Sequence, residues 1–157
     1  MKHMIILNKA ASIEFFNYPK IVDDSKKQIE SAINEFIKEY KINKTKVDIS
    51  FCTKKQMRVL NAKFRNKNQV TNVLSFPDIE FHKVRTDCIG EIIISMDVVK
   101  EEAKKSKKKE IDHLIHLLIH SMLHLLGYKH DKENDAILME TKEIKFLSKI
   151  GISNPYK

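Results

Sequence analysis

The stretch EIDHLIHLLIHSMLHLLGYKH, Glu110 to His130, decides how the rest of this 157-residue chain is read. Leucine, isoleucine and methionine fill most positions between the acidic pair Glu110 and Asp112 and the glycine Gly127. That pattern predicts a helix from Glu110 to Leu126, with Gly127 as its C-terminal stop. A helix apolar on most of its circumference has to be buried on most of it, so this is the expected central helix. Five of the seven histidines fall here: His113, His116, His120, His124 and His130. Residues four apart share a helical face, so His120 and His124 can offer imidazole nitrogens to one ion. Gly127 permits a reversal of direction, which lets His130 return to the same point and complete a three-nitrogen site with one position open for water. The frame is H-x-x-x-H-x-x-G-x-x-H. Unpaired imidazoles on an apolar helix would carry a desolvation cost that a bound ion offsets. Zinc, one ion per chain, suits such a site best; nickel and copper also bind imidazole, and spacing does not choose among them. His116 lies on the same stripe and is expected to line or support the site, while His113, a turn earlier, is expected to pack or face solvent.

Outward from this helix, Ile5 to Leu7 and Ser12 to Phe16 read as short strands. Ile29, Ile33, Phe36, Ile37 and Tyr40 recur at helical spacing, predicting a helix over roughly Ser25 to Tyr40. Val47, Ile49 and Phe51 alternate with Asp48 and Ser50, the period of a half-buried strand. Thr53 with Gln56 three residues later is a capping-box pattern, and Met57, Leu60 and Phe64 form one face of the helix it opens. Thr71 to Phe76, stopped by Pro77, and Cys88 to Ser95 are β-rich and are expected to pair through the connection Asp78 to Asp87. Helices over about Met96 to Lys105 and Asp135 to Lys149 complete the chain. Strands early and helices late predict one α+β domain over residues 1–157, with a roughly four-stranded mixed sheet packed by helices and the metal site on the central helix and the turn after it.

Composition narrows the partner. Lys plus Arg number 29 against 21 for Asp plus Glu, a net charge of +8, which favours a polyanion. The longest apolar runs fall short of the roughly 20 residues that span a bilayer, and the start has no secretory pattern, so a cytoplasmic protein with no membrane partner is expected. Cys52 and Cys88 then read as reduced thiols. The histidine frame is shared with metzincin peptidases, in which a glutamate directly after the first histidine is the general base. Here Ser121 stands there, and a hydroxyl is no base near neutral pH. A metal can instead polarise a phosphoryl oxygen, so hydrolysis of a phosphodiester fits both the site and the charge.

His120 to His130 also resembles the signature of the YbeY family of bacterial metal-dependent endoribonucleases, H-G-x-L-H-L-x-G-Y-D-H, with Leu123, Leu125, Gly127 and Tyr128 matching beside the three histidines. Leu60-Asn61, Phe64-Arg65 and Thr71 to Pro77 are similar to that family's L-N-x-x-[YF]-R and T-D-V-L-S-F-P. Gly90 to Ser95 is similar to its G-D-I-x-I-S, and Asn154-Pro155-Tyr156 to its usual ending. The resemblance implies cleavage of single-stranded RNA in ribosomal RNA maturation, notably at the 3′ end of the small-subunit RNA, and in ribosome quality control, with the ribosome or its proteins as further partners. It also implies a catalytic role for Arg65, whose guanidinium suits a phosphate. Lys54, Lys55, Arg58, Lys63 and Lys67 surround it and would make a basic wall along an RNA backbone. Phe76 and Phe81 are candidate base-stacking rings, with core packing favoured for Phe76. Four positions depart from the family: Ser121 replaces glycine, Lys129 and Asn72 replace aspartates, and Glu91 lengthens another acid. Asp131 is expected to take over a supporting role beside the last histidine. Two rival readings are a ribosome-associated RNA-binding factor whose metal is structural, and a metallopeptidase.

Overall fold

The computed structural model describes residues 2–7, 9–43, 45–77 and 88–157. The chain forms strands β1 (His3–Leu7) and β2 (Ala11–Phe16), helices α1 (Lys20–Asp24) and α2 (Lys26–Glu39), strand β3 (Thr45–Cys52) and helix α3 (Lys54–Arg65). Strands β4 (Val73–Pro77) and β5 (Cys88–Ser95) follow, then helices α4 (Met96–Lys105), α5 (Glu110–Leu125) and α6 (Glu133–Lys149). The strands make one mixed sheet in the order β1-β2-β3-β5-β4. β3 runs parallel to β2 and β5, while β1 and β4 are antiparallel edges.

The α+β architecture expected from sequence is present, with five strands rather than about four. The stretch Ile5 to Leu7, read as a short strand, is the second half of β1, which joins the same sheet by pairing with β2 as a local hairpin from Leu7↔Ser12 to His3↔Phe16. β4 and β5 do pair, antiparallel, from Val73↔Ile94 to Pro77↔Gly90. The connection between them, and with it Phe81, lies outside the described residues. Helix α1 has no counterpart in the sequence reading, because a five-residue turn after Pro19 is too short to show a period.

Alternation builds the core. Val47, Ile49 and Phe51 of β3 and Ile92 and Ile94 of β5 point to one face and are buried. They join Ile29, Ile33 and Phe36 of α2, the apolar residues of α5, and Met139, Phe146 and Leu147 of α6 in one continuous cluster. Leu74 pairs with Ile93 on the other face. Leu74 and Met57 are buried outside the main cluster, so α3 covers the opposite side of the sheet. Thr53 caps α3 as its pattern predicts: its side chain accepts from the Gln56 backbone N–H at 3.2 Å while the Gln56 side chain accepts from the Thr53 N–H at 2.9 Å.

Helix α5 occupies the centre, packing on β4, β5, α2, α4 and α6. Leu114, Ile115, Leu118, Ile119, Met122, Leu123 and Leu125 are at most 2% exposed. Each such side chain contributes about 1.5–3 kcal/mol by leaving water. Helix and sheet are in tight contact at Gly90, where an added Cβ would collide with the Phe76 carbonyl oxygen and lie 2.6 Å from Leu125 Cδ2. That contact sets the height of the helix end that carries the histidines. Among the described residues no helix is long and apolar enough to cross a membrane. Cys52 is a free, half-buried thiol whose pKa is raised by burial; the Cys88 side chain lies outside the described set.

Candidate metal centre

The last turn of α5 and the turn after it bring His120, His124 and His130 together, with one ligand atom from each within 4.8 Å of the others. Helical spacing stacks His120 and His124, whose ring centroids are 4.6 Å apart. The reversal at Gly127, with φ of +103°, carries His130 back until its ring is 4.7 Å from His124 and 5.5 Å from His120. His120 and His124 are half-buried and His130 is exposed, so the cluster opens to solvent on one side.

Hydrogen bonds determine which nitrogens face inward. His124 Nδ1 donates to the Tyr128 carbonyl at 2.9 Å. His120 Nδ1 donates to the Glu143 carboxylate. A carbonyl and a carboxylate can only accept, so both Nδ1 atoms carry hydrogen and both Nε2 atoms present lone pairs. Those Nε2 atoms face each other at 3.1 Å. Two lone pairs held that close repel unless a cation is shared between them, which is the donor chemistry of a metal site. Burial above all pushes the His124 pKa down to about 4, so its imidazole is neutral near neutral pH as a metal ligand must be.

A second group adjoins the first. His116, His120 and Glu143 also place one ligand atom each within 4.8 Å, and both His116 and Glu143 are buried. Here every inward atom already has a partner: Glu143 accepts from His116 Nε2 at 3.1 Å, from His120 Nδ1 and from the Tyr156 hydroxyl. Burial on its own would raise the Glu143 pKa; the hydrogen bonds from His116, His120 and Tyr156 outweigh it and hold the carboxylate ionised, at about 2. This group reads as a support for His120 rather than a second ion site. Sequence reasoning missed Glu143, and it noted Tyr156 only as part of a family-like ending, with no role. The signal available was an acid inside the apolar stripe Met139, Glu143, Phe146, Leu147.

The other candidate residues separate. Asp131, expected beside His130, is exposed; the carboxylate bonded within the cluster is Glu143, and it meets His120. His113 Nε2 pairs with Glu102 Oε1 at 3.0 Å, and Asn72 Nδ2 donates to that same oxygen at 2.9 Å. An ionised aspartate at 72 could not make that bond. Ser121 is fully buried, so its hydroxyl does not face the cluster's open side. Arg65 is not a member of the histidine cluster. It closes the C-terminal end of α3, donates Nη2–H to the Ser75 carbonyl of β4 at 2.7 Å, and rests its guanidinium 5.4 Å over the Phe76 ring. Phe76 is half-buried, its edge against Phe64, and the exposed ring of the pair is Phe64. Asn61, buried, donates to the Gln69 carbonyl at 2.9 Å and pins the segment after α3. Of the surrounding cations, Lys55, Arg58, Lys63 and Lys67 are exposed, and Lys54 is paired with Glu101.

An α+β domain that converges three imidazoles at the end of its central helix, with a basic helix on the far face of the sheet, has the form of a nucleic-acid-processing protein. Comparison with known proteins agrees. The family model described as Endoribonuclease YbeY matches residues 13–151. Curated proteins called Endoribonuclease YbeY are similar: one from Bartonella quintana is 36% identical over 147 residues, covering 92% of each chain. One from Buchnera aphidicola is 43% identical over 111 residues, covering 71% of this chain and 72% of its own. The solution structure of TM1509 from Thermotoga maritima superposes with a TM-score of 0.61 at 25% identity, over 88% of both chains. The chain belongs to the YbeY endoribonuclease family.

Proposed function

We propose that this protein is a metal-dependent endoribonuclease that cuts single-stranded RNA in the cytoplasm during ribosomal RNA maturation, at the 3′ end of the small-subunit RNA, and in ribosome quality control. The observation that carries the metal reading is the pair of Nε2 lone pairs facing at 3.1 Å, each fixed by a hydrogen bond on its own Nδ1. His120, His124 and His130 would hold the ion, and zinc fits three imidazoles best. When bound, such an ion supplies Lewis-acid polarisation of a phosphoryl oxygen and an activated water.

The protein's own groups do the rest. Arg65 spends one N–H on the Ser75 carbonyl, which fixes the plane of the guanidinium; its remaining donors are suited to grip a phosphate. Residues 49–77 contain no Asp or Glu and six basic residues, so α3 and its flanks favour a polyanion. Among the described residues no fourth His, Cys, Asp or Glu joins the three-histidine group. That favours a catalytic centre over a structural one, since structural zinc is closed by four protein ligands. The buried Ser121 disfavours peptide hydrolysis, because the position that would hold the general base is closed to water.

The test compares wild type, Arg65→Ala and His120→Ala for cleavage of single-stranded RNA, with metal content measured on the same preparations. Expected are about one zinc per chain in wild type and Arg65→Ala, loss of zinc in His120→Ala, and loss of cleavage in both variants. Equal cleavage by all three proteins would overturn the assignment.

A further inference from the structure

We infer that Glu143 is a positioning residue for the histidine centre and that Tyr156 is its anchor, so that affinity for the ion depends on how the C-terminal segment docks. The inference rests on the reading that His120, His124 and His130 hold a metal. The two helical ligands are oriented by different means. His124 is oriented by a main-chain carbonyl, that of Tyr128, four residues on along the same turn. His120 is oriented by one side chain from another helix, the fully buried Glu143 of α6. A carboxylate at His120 Nδ1 fixes the tautomer that leaves Nε2 free, and it raises the basicity of the ring as a ligand.

Glu143 is itself held in place. His116 Nε2 donates to Oε2 from one helical turn before His120, and the Tyr156 hydroxyl donates to the same oxygen from the chain end. Tyr156 is 44% exposed as a residue, and its ring meets the His116 ring edge-on at 5.6 Å. The peptide joining Pro155 to Tyr156 is fastened through both its N–H and its carbonyl. The Tyr156 N–H donates to Asn154 Oδ1 at 2.8 Å, and Lys108, at the turn before α5, donates to the Pro155 carbonyl at 2.6 Å. The tail therefore bridges the start of α5 to the carboxylate that orients a ligand near its end. A side chain with only packing to do would not need a hydroxyl aimed at the one carboxylate shared by two histidines.

The experiment measures zinc affinity of the full chain by competition with a chromophoric chelator, for wild type, Glu143→Gln, Tyr156→Phe and His120→Ala. Nitrogen NMR of the metal-free proteins reads the His120 tautomer alongside. Glu143→Gln is expected to weaken zinc by about 10–100-fold, the usual effect of removing a partner behind a ligand. Its amide also supplies donors where Glu143 only accepts, so His120 should lose its single Nδ1–H form. Tyr156→Phe keeps the ring and removes one hydroxyl; it should weaken zinc by a smaller factor with an unchanged fold, and it carries the test if Glu143→Gln fails to fold. Wild-type affinity in both variants, with zinc lost in His120→Ala, would overturn the positioning role alone. Zinc retained in His120→Ala would overturn the metal reading beneath it.

Discussion

Replacing Gly90 by alanine tests how closely α5 must approach the sheet. The new methyl would overlap the Phe76 carbonyl oxygen, sit 2.6 Å from Leu125 Cδ2 and 3.1 Å from Pro77 Cα, on a backbone with φ of +153°. Phe76 and Pro77 are main chain of the paired strand, in the register Pro77↔Gly90, so they move only if β4 peels from β5. Leu125 is fully buried, so it cannot swing out into solvent without exposing apolar surface. Overpacking by one carbon costs about 1–3 kcal/mol, and an unfavourable φ for a residue with a Cβ costs a further 1–3 kcal/mol or so. Their sum, about 4 kcal/mol, corresponds to a fall in Tm on the order of 10 °C for a chain of this size. Gly127→Ala and Gly151→Ala supply the comparison. Those glycines also have positive φ, +103° and +84°, but nothing lies within 4 Å of an added Cβ. Thermal unfolding of the metal-free proteins should place Gly90→Ala well below both, and its zinc affinity should drop too, because Leu125 follows His124 directly. A Tm for Gly90→Ala no lower than that of Gly151→Ala would refute the close approach of helix to sheet.

Three further outcomes follow from the geometry. Thr53→Ala removes the reciprocal cap of α3 and should cost about 1 kcal/mol in denaturant unfolding, where an unchanged midpoint would count against the cap. Acid should destabilise the metal-free protein in two stages. The His124 pKa is depressed from 6.5 to about 4, so the unfolded chain takes a proton first and stability falls as pH drops through that window. Below about 4.5 the depressed pKa of Glu143 adds a second loss in the same direction as pH falls towards 2. Flat stability from pH 7 to 5 would contradict the first stage. Arg65→Lys keeps the charge but loses the planar fork on Ser75 and a phosphate, so RNA cleavage should fall on the order of 10²-fold while unfolding changes little; wild-type turnover would remove Arg65 from the site.

What was legible in the sequence was local. Helix α5 announces itself by an apolar run ended by Gly127, and the convergence of His120, His124 and His130 follows from a four-residue step and one reversal. The cap at Thr53 and the alternation in β3 are local in the same way. The support of His120 was not local. Glu143 lies 23 residues beyond its partner, and only the packing of α6 on α5 brings the two together. Asp131 drew attention because it is adjacent in sequence, yet adjacency after a reversed turn leaves it in solvent. Phe76 was read as a core ring; it is half-buried, with Arg65 over its face, because β4 is an edge strand whose outer side α3 only partly covers.

The parallel pairing of β3 and β5 places a constraint on how this protein can vary. Parallel neighbours cannot be joined by a tight turn, so the chain leaving β3 must travel before it returns as β5. Here the traveller carries α3, Arg65 and the edge strand β4. The segment proposed to meet RNA is thus also the covalent tie between two central strands, not an ornament at a loop tip. It can be rewritten residue by residue but not shortened away or transplanted as a cassette without opening the sheet. A change of substrate preference in this fold would have to come through substitution along the crossover, at positions such as 58, 63, 64 and 67 whose side chains face solvent.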